Sequence, residues 1–262
     1  MPAAAPLRGL GVLVTRPERQ AGALCRLFES QGAAVYRLPA LNIVEHPQRR
    51  ERLALLRDQP DPDLIIFTSA NAVRFGEPAL AQRRDLQLAA IGPATARALN
   101  QAGYRISLVP AQGFDSESLL ALPRLQNLAG MRVLLVKGEG GRDLLERALR
   151  ARGAEVRSLA VYQRCPAMPA PQRLKEIEAT FAAGQIQLIT AASLASAQHL
   201  LGLAPPELRR RFEQAAWIAP GARVRAGLAA AGVQGPLIEA ASAEDQDVLA
   251  AALRWRSNAS GA

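Results

Sequence analysis

Five short stretches of this chain gather the residues able to meet an anion. LIIFTSANAV (Leu64–Val73) runs from an apolar strand pattern straight into Thr68, Ser69, Ala70 and Asn71. LITAASLASA (Leu188–Ala197) repeats the move through Thr190, Ala192 and Ser193, and GPATARAL places Gly92, Ala94 and Thr95 at the start of a helical pattern. PGARVRAGL does the same with Gly221, Ala222 and Arg223. KGEGGRD sets Gly138, Gly140 and Gly141 before another helix, with Lys137 and Arg142 as cations, and Arg16 follows the first strand pattern in a similar way. Small residues let backbone N–H groups approach a ligand closely, and a helix start presents unpaired N–H donors at the positive end of its dipole. A guanidinium or ammonium there adds a direct partner for a carboxylate. Ser, Thr and Asn at these points also serve as ordinary helix caps, which is the default reading for any single turn.

Other chemistries are poorly supplied. KGEGGRD lacks the G-K-[ST] close of a phosphate loop and is not GxGxxG. No Ser sits in a G-x-S-x-G turn, and neither His46 nor His199 has a suggestive neighbour for a nucleophile–base pair. No cluster has metal-ligand spacing. An enzyme with this inventory works by positioning and electrostatics rather than covalent catalysis, and without a metal. The net charge of +9 suits a polyanionic partner, yet only two of the 32 basic residues are lysines and the arginines are dispersed through helices. Aromatics at 4% leave little for base stacking, so a small anionic ligand is favoured over nucleic acid. No apolar run approaches the ~20 residues that span a bilayer, and no signal-peptide pattern precedes the first strand. With Cys25 on an apolar helix face and Cys165 far away, the expectation is a cytoplasmic protein with free thiols.

An internal repeat shows which elements must position these turns. GLGVLVTRPERQAGALCRLFESQGAAVYRLPAL, from Gly9, lies without a gap above GMRVLLVKGEGGRDLLERALRARGAEVRSLAVY, from Gly130. Gly9 falls on Gly130, Val12 on Val133, Arg16 on Lys137, Gly32 on Gly153 and Val35 on Val156. Each copy reads as strand, polar turn, amphipathic helix ending at Gly, and second strand. A second pair sets Leu64–Val73 above Leu188–Ala197. After it, AAIGPATARALNQAG resembles AAWIAPGARVRAGLAAAG, with a small length difference in the turn. Strands alternating with such helices predict parallel α/β sheets covered on both faces, with ligands outside the carboxyl ends of the strands. Extended joints are expected near residues 39–51 and 161–171, the second carrying Pro166, Pro169 and Pro171.

FTSANAV, GPATARAL, KGEGGRDLL, the G-x-x-V-x-x-x-x-V-Y-Q-R segment from Gly153 to Arg164, and PGARVRAGLAAAG together resemble the uroporphyrinogen-III synthase family, over roughly Gly9 to Leu253. The resemblance implies two flavodoxin-like, doubly wound parallel-sheet lobes joined by a two-stranded connection. Residues 1–40 plus 167–262 would form the first lobe and 43–164 the second, with the active site in a cleft. It implies a monomeric, cofactor-free enzyme that closes hydroxymethylbilane to uroporphyrinogen III, receiving its substrate from the enzyme that makes it. Tyr162 is the position that matches the family's candidate general acid; packing within the connection is the competing role for that ring. The chain departs from the family pattern at Ala191 and at Gly221-Ala222, where many relatives carry a hydroxyl. A non-catalytic bilobed binding or regulatory protein for a small polyanion is the alternative reading.

Overall fold

A computed structural model describes residues 5–57, 59–77, 87–113, 115–140 and 143–260. The chain divides into two compact units, Met1–Asn42 with Cys165–Ala262, and Ile43–Arg164. It opens in the first unit with β1 (Gly11–Val14), α1 (Glu18–Ser30) and β2 (Ala34–Arg37), and leaves through β3 (Leu41–Glu45). The second unit adds α2 (Arg49–Arg57), β4 (Leu64–Phe67), α3 (Ala70–Gly76), β5 (Gln87–Ala90), α4 (Pro93–Gln101), α5 (Ser116–Leu120), β6 (Arg132–Gly138) and α6 (Leu144–Ala151). β7 (Glu155–Pro166) returns the chain to the first unit, which α7 (Pro171–Ala182), β8 (Leu188–Thr190), α8 (Leu194–Leu203), α9 (Pro206–Gln214), β9 (Ala216–Pro220), α10 (Ala222–Ala230), β10 (Leu237–Ala240) and α11 (Asp245–Ser260) complete.

The first unit's sheet has the order β10-β9-β8-β1-β2, and its four neighbouring pairs are parallel. The second has the order β3-β7-β6-β4-β5, with β7–β6, β6–β4 and β4–β5 parallel. The connection is thus two-stranded in this sheet, since β3 lies beside β7. GVLV in β1 and LIIF in β4 are apolar at every position because helices cover both faces of a parallel sheet. Alternate residues divide between two cores. Ile65, Phe67, Leu134 and Val136 face one helix layer, and Leu64, Ile66, Val133 and Leu135 face the other. Leu13, Ile189 and Trp217 are likewise separated from Val12, Val14 and Ile218.

The repeat carries through to hydrogen-bond register. Val12 pairs with Val35 in β1–β2, and the equivalent Val133 pairs with Val156 in β6–β7. Leu188 pairs with Val12, as Leu64 pairs with Val133. Each sheet is therefore built from one copy of each repeat, taken in opposite chain order. Leu188 also pairs with Ala216, as Leu64 does with Gln87, which sets Gly92 and Gly221 at matching N-caps. The turns are thus equal in length, and the length difference expected there is not present. The four repeated helices α1, α6, α4 and α10 stop just before Gly32, Gly153, Gly103 and Gly232, each at positive φ.

Two expected extended joints are shorter than the sequence suggested. β3 ends at Glu45 and α2 takes over at Arg49, while Pro171 opens α7. Proline is welcome in the first helical turn, where its missing N–H has no partner to lose. Cys25 is fully buried on α1 as a free thiol, and burial pushes its pKa up.

Candidate functional site

In doubly wound sheets the crevice opens where neighbouring strands send their connections to opposite sides. That switch lies between β4 and β6 in the second unit and between β1 and β8 in the first.

In the second unit the switch is built around Tyr162. β6 and β7 run in register to Lys137 opposite Ala160, and then Gly138 lies opposite Tyr162, leaving Val161 as an extra residue. Such a bulge breaks the strict alternation of side chains, so Val161 and Tyr162 are both buried in one core. The ring stacks on Phe75 with centroids 6.1 Å apart and crosses directly over Gly138. A Cβ at Gly138 would stand 2.5 Å from Tyr162 Cζ, so only glycine fits.

The Tyr162 hydroxyl is the polar tip of this otherwise apolar packing. Its Oη lies 3.1 Å from Ser69 Oγ, and Arg164 Nη2 donates to it at 3.3 Å. The Arg164 guanidinium also sits 5.5 Å from the ring centroid. Ser69 caps α3, its Oγ accepting the Ala72 N–H at 2.9 Å. Thr68 gives both its N–H and its hydroxyl to Val136 O. A cavity of about 230 Å³ opens here, walled by Thr68, Ser116, Lys137, Gly138, Gly140, Tyr162 and Arg164 over the apolar Ile91, Leu135 and Leu145. Lys137 Nζ is 3.8 Å from Asp143 Oδ1.

The other described sequence candidates of this unit do not line that cavity. Ala70 and Asn71 occupy the first turn of α3. Gly92 caps α4 without a side-chain bond; Ala94 is exposed and Thr95 buried. Gly141 and Arg142 lie outside the described residues.

In the first unit, the equivalent corner is already closed by its own partners. Arg16, only 15% exposed, pairs with Asp245 and donates to Ala243 O. Thr15 Oγ1 donates to Thr190 O at 2.6 Å, while the buried Thr190 Oγ1 has no partner among the described residues. Ser193 forms a capping box with Ser196 at the start of α8, and Ala192 precedes it. Gly221 caps α10 at φ 84° with no side-chain bond, and Ala222 and Arg223 are exposed in the first turn.

Three residues escaped the sequence reading. Arg164 stands two positions beyond Tyr162, the spacing that returns a strand to the same face, and that signal was available. Ser116 depends on a loop path that no local pattern reveals. His46, 4% exposed, faces Glu139 across 3.3 Å from a point 93 residues away in sequence. Among the described residues, no three His, Cys, Asp or Glu gather as a metal site, and no helix is long and apolar enough to cross a membrane.

The family model described as "Uroporphyrinogen-III synthase HemD" matches residues 22–250. The chain belongs to the uroporphyrinogen-III synthase family. It is 39% identical over 165 residues to the uroporphyrinogen-III synthase of Salmonella typhimurium, and 37% identical over 164 residues to that of Escherichia coli K12. Each alignment covers 60% of this chain and 65% of the relative, just under two thirds of those proteins. Among solved structures, a uroporphyrinogen-III synthetase from Helicobacter pylori 26695 superposes with a TM-score of 0.59 at 14% identity, covering 94% of this chain and 99% of the other. A mutant uroporphyrinogen III synthase from the extremely thermophilic bacterium Thermus thermophilus gives 0.55 at 22% identity, covering 97% of this chain and all of the other. At these identities the two structures speak for the shared synthase-family fold.

Proposed function

We propose that this chain is a cofactor-free lyase that closes linear hydroxymethylbilane to uroporphyrinogen III, inverting the last pyrrole ring and releasing water. The observation that carries this reading is the Tyr162 hydroxyl, held at a cavity wall beside Arg164 and Lys137, on the strand segment that resembles the family's V-Y-Q-R.

The geometry suits the first step. Tyr162 gives its proton to the departing hydroxyl, which leaves as water, and the electron pair of a pyrrole nitrogen fills the vacated carbon to give a protonated azafulvene that keeps its N–H. Arg164, donating to Tyr162 Oη, stabilises the phenolate left behind. The substituted position of the last ring then attacks that carbon to give a spiro intermediate. The spiro centre fragments and recloses through the other position, and the proton lost on re-aromatisation returns to the phenolate. Proton donation is one part of the rate, and holding the chain in a curled conformation supplies much of the rest.

Carboxylates of the substrate provide the handles. Lys137 and the backbone of Gly138, Gly140 and Gly141, with Arg142, grip them in one unit, together with the turns at Thr68–Asn71 and Gly92–Thr95. The first unit offers donors of the same kind at Thr190, Ala192, Ser193 and the Gly221–Arg223 turn, while its Arg16 is already committed to Asp245. Gly92 and Gly221 leave the first amides of α4 and α10 without a side-chain cap, which supports backbone donation at both. The missing hydroxyls at Ala191, Gly221 and Ala222 do not affect such a mechanism. The protein works as a cytoplasmic monomer, fed by the enzyme that makes hydroxymethylbilane.

The test is the isomer composition of the porphyrinogen formed from enzymatically generated hydroxymethylbilane. The type III isomer is expected. Type I alone, from folded protein, refutes the assignment, and substrate binding without turnover supports a non-catalytic binding protein in its place.

A further inference from the structure

We propose that His46 is a positioning residue for Tyr162, acting through Glu139 and the β-bulge; its bearing on turnover rests on the synthase reading above.

His46 lies just beyond the end of β3, and every polar atom it has is committed. Its backbone N–H donates to Val161 O at 3.1 Å, and its carbonyl accepts from Arg49 N at 2.9 Å. Nδ1 accepts the Gln48 N–H at 3.1 Å. An acceptor at Nδ1 fixes the neutral tautomer with its proton on Nε2, and that nitrogen faces Glu139 Oε1 at 3.3 Å. Glu139 in turn donates its own N–H to Tyr162 O at 2.7 Å.

These bonds enclose the irregular step. Val161 is the extra residue of the bulge and Tyr162 the residue it turns inward. His46 holds the carbonyl of the first directly. It holds the second through Glu139, the residue that follows Gly138 under the tyrosine ring. A bulge leaves its extra residue outside the regular ladder, so its local shape depends on bonds from outside the two strands. Here one buried residue reaches both, its backbone N–H bonding Val161 O and its imidazole bonding the Glu139 side chain. The Glu139 side chain is 53% exposed, and an ion pair in that setting would contribute little to stability. A neutral imidazole donating to it from a buried position has a different use, which is to restrict where residues 138–140 can go.

The test pairs a spectroscopic reading with kinetics. Protein labelled with ¹³C-tyrosine gives three tyrosine ring signals, and the Tyr162→Phe variant identifies the one from Tyr162. His46→Leu, which removes the donor, is expected to shift and broaden that signal while those of Tyr36 and Tyr104 stay in place. Glu139→Ala, at an exposed side chain that folding does not need, is expected to do the same. In turnover, both variants are expected to lower kcat about tenfold with KM within about twofold. His46→Gln, which keeps a donor aimed at Glu139, is expected to restore most of kcat. The effect should vanish in the Tyr162→Phe background, because a residue that acts through Tyr162 has nothing to add once its hydroxyl is gone. An unmoved Tyr162 signal in Glu139→Ala overturns the proposal, and so does a loss of kcat that persists in full in the Tyr162→Phe background. If even the unaltered protein makes no type III product, it is the synthase reading that falls. The tyrosine signals then decide the positioning claim alone.

Discussion

The two corners after β1 and β6 descend from the same repeat, and they differ at a few aligned positions. Arg16 aligns with Lys137, Pro17 with Gly138 and Leu41 with Tyr162, while Glu18 and Glu139 are alike. In the first unit, Pro17 serves as the N-cap of α1, so the helix begins at once at Glu18. In the second, glycine lets β6 run on to Gly138, and α6 waits until Leu144. Glycine and tyrosine fit as a pair. Tyr162 lies across Gly138 with no room for a Cβ, whereas the unit with a proline there has a leucine in the tyrosine's place. The cations diverge too, since Arg16 is locked to Asp245 and Ala243 O while Lys137 lies along a cavity wall, 3.8 Å from its carboxylate. The difference is that one copy of the turn is closed by its own partners, whereas the other opens onto a cavity.

Replacing Gly138 by alanine strikes that difference hardest. The new Cβ must displace a ring packed against Phe75, and a shift near 1 Å at a reacting group costs about 100-fold in rate. Type III formation by Gly138→Ala is expected to fall by about that factor, with about 1–3 kcal/mol lost in denaturant unfolding. A rate within threefold of the parent would show that the close fit is incidental. Lys137→Ala should act on binding rather than on the step itself. Removing one charged partner of a substrate carboxylate is expected to raise KM about tenfold, near 1.4 kcal/mol, and kcat should hold. An unchanged KM would leave Lys137 without a substrate.

The matching change in the first unit, Arg16→Ala, is expected to show itself as stability. Its ion pair is largely shielded, at 15% and 25% exposure, so about 1–2 kcal/mol should be lost in denaturant unfolding. No loss would mean that Asp245 finds an equal partner elsewhere. The smallest effect concerns the exposed Asp63, whose carboxyl the Arg132 guanidinium holds below the ordinary range by hydrogen bonding. Its folded pKa is depressed, so the stabilisation is present at neutral pH. It fades as pH falls below about 4, through the folded value. Asp63→Asn should therefore melt slightly lower than the parent at pH 7, and the gap should close toward pH 3. Melting curves with a constant gap would contradict that origin.

Much of this frame is legible in the sequence. The ungapped match of Gly9–Leu41 to Gly130–Tyr162 gives strand, helix and glycine stop in both copies, and even the pairing of Val12 with Val35 recurs at Val133 with Val156. Periodicity and glycine stops are local, so they survive in a linear reading. The turn residues were legible as types, though not as roles. Ser69 and Ser193 both cap helices, as the default reading of such residues holds, and only Ser69 also meets the tyrosine. What stayed hidden depends on distant contacts. Asp245 reaches Arg16 over 229 residues, and His46 reaches Glu139 over 93. No composition or spacing rule carries such information. The bulge at Val161 was equally invisible, because VYQR reads as a regular strand until its partner strand is known.

The measurement closest to the centre of this account is the single-turnover rate of type III formation by Tyr162→Phe, taken beside its melting temperature. The hydroxyl's partners are Ser69 and Arg164, both of which keep other contacts, so the fold should survive its loss. The account predicts a rate lower by at least about tenfold, as expected for removal of a general acid, with the melting temperature within about 2 °C of the parent. A single-turnover rate equal to the parent's would remove Tyr162, and with it the opened copy of the repeat, from the chemistry.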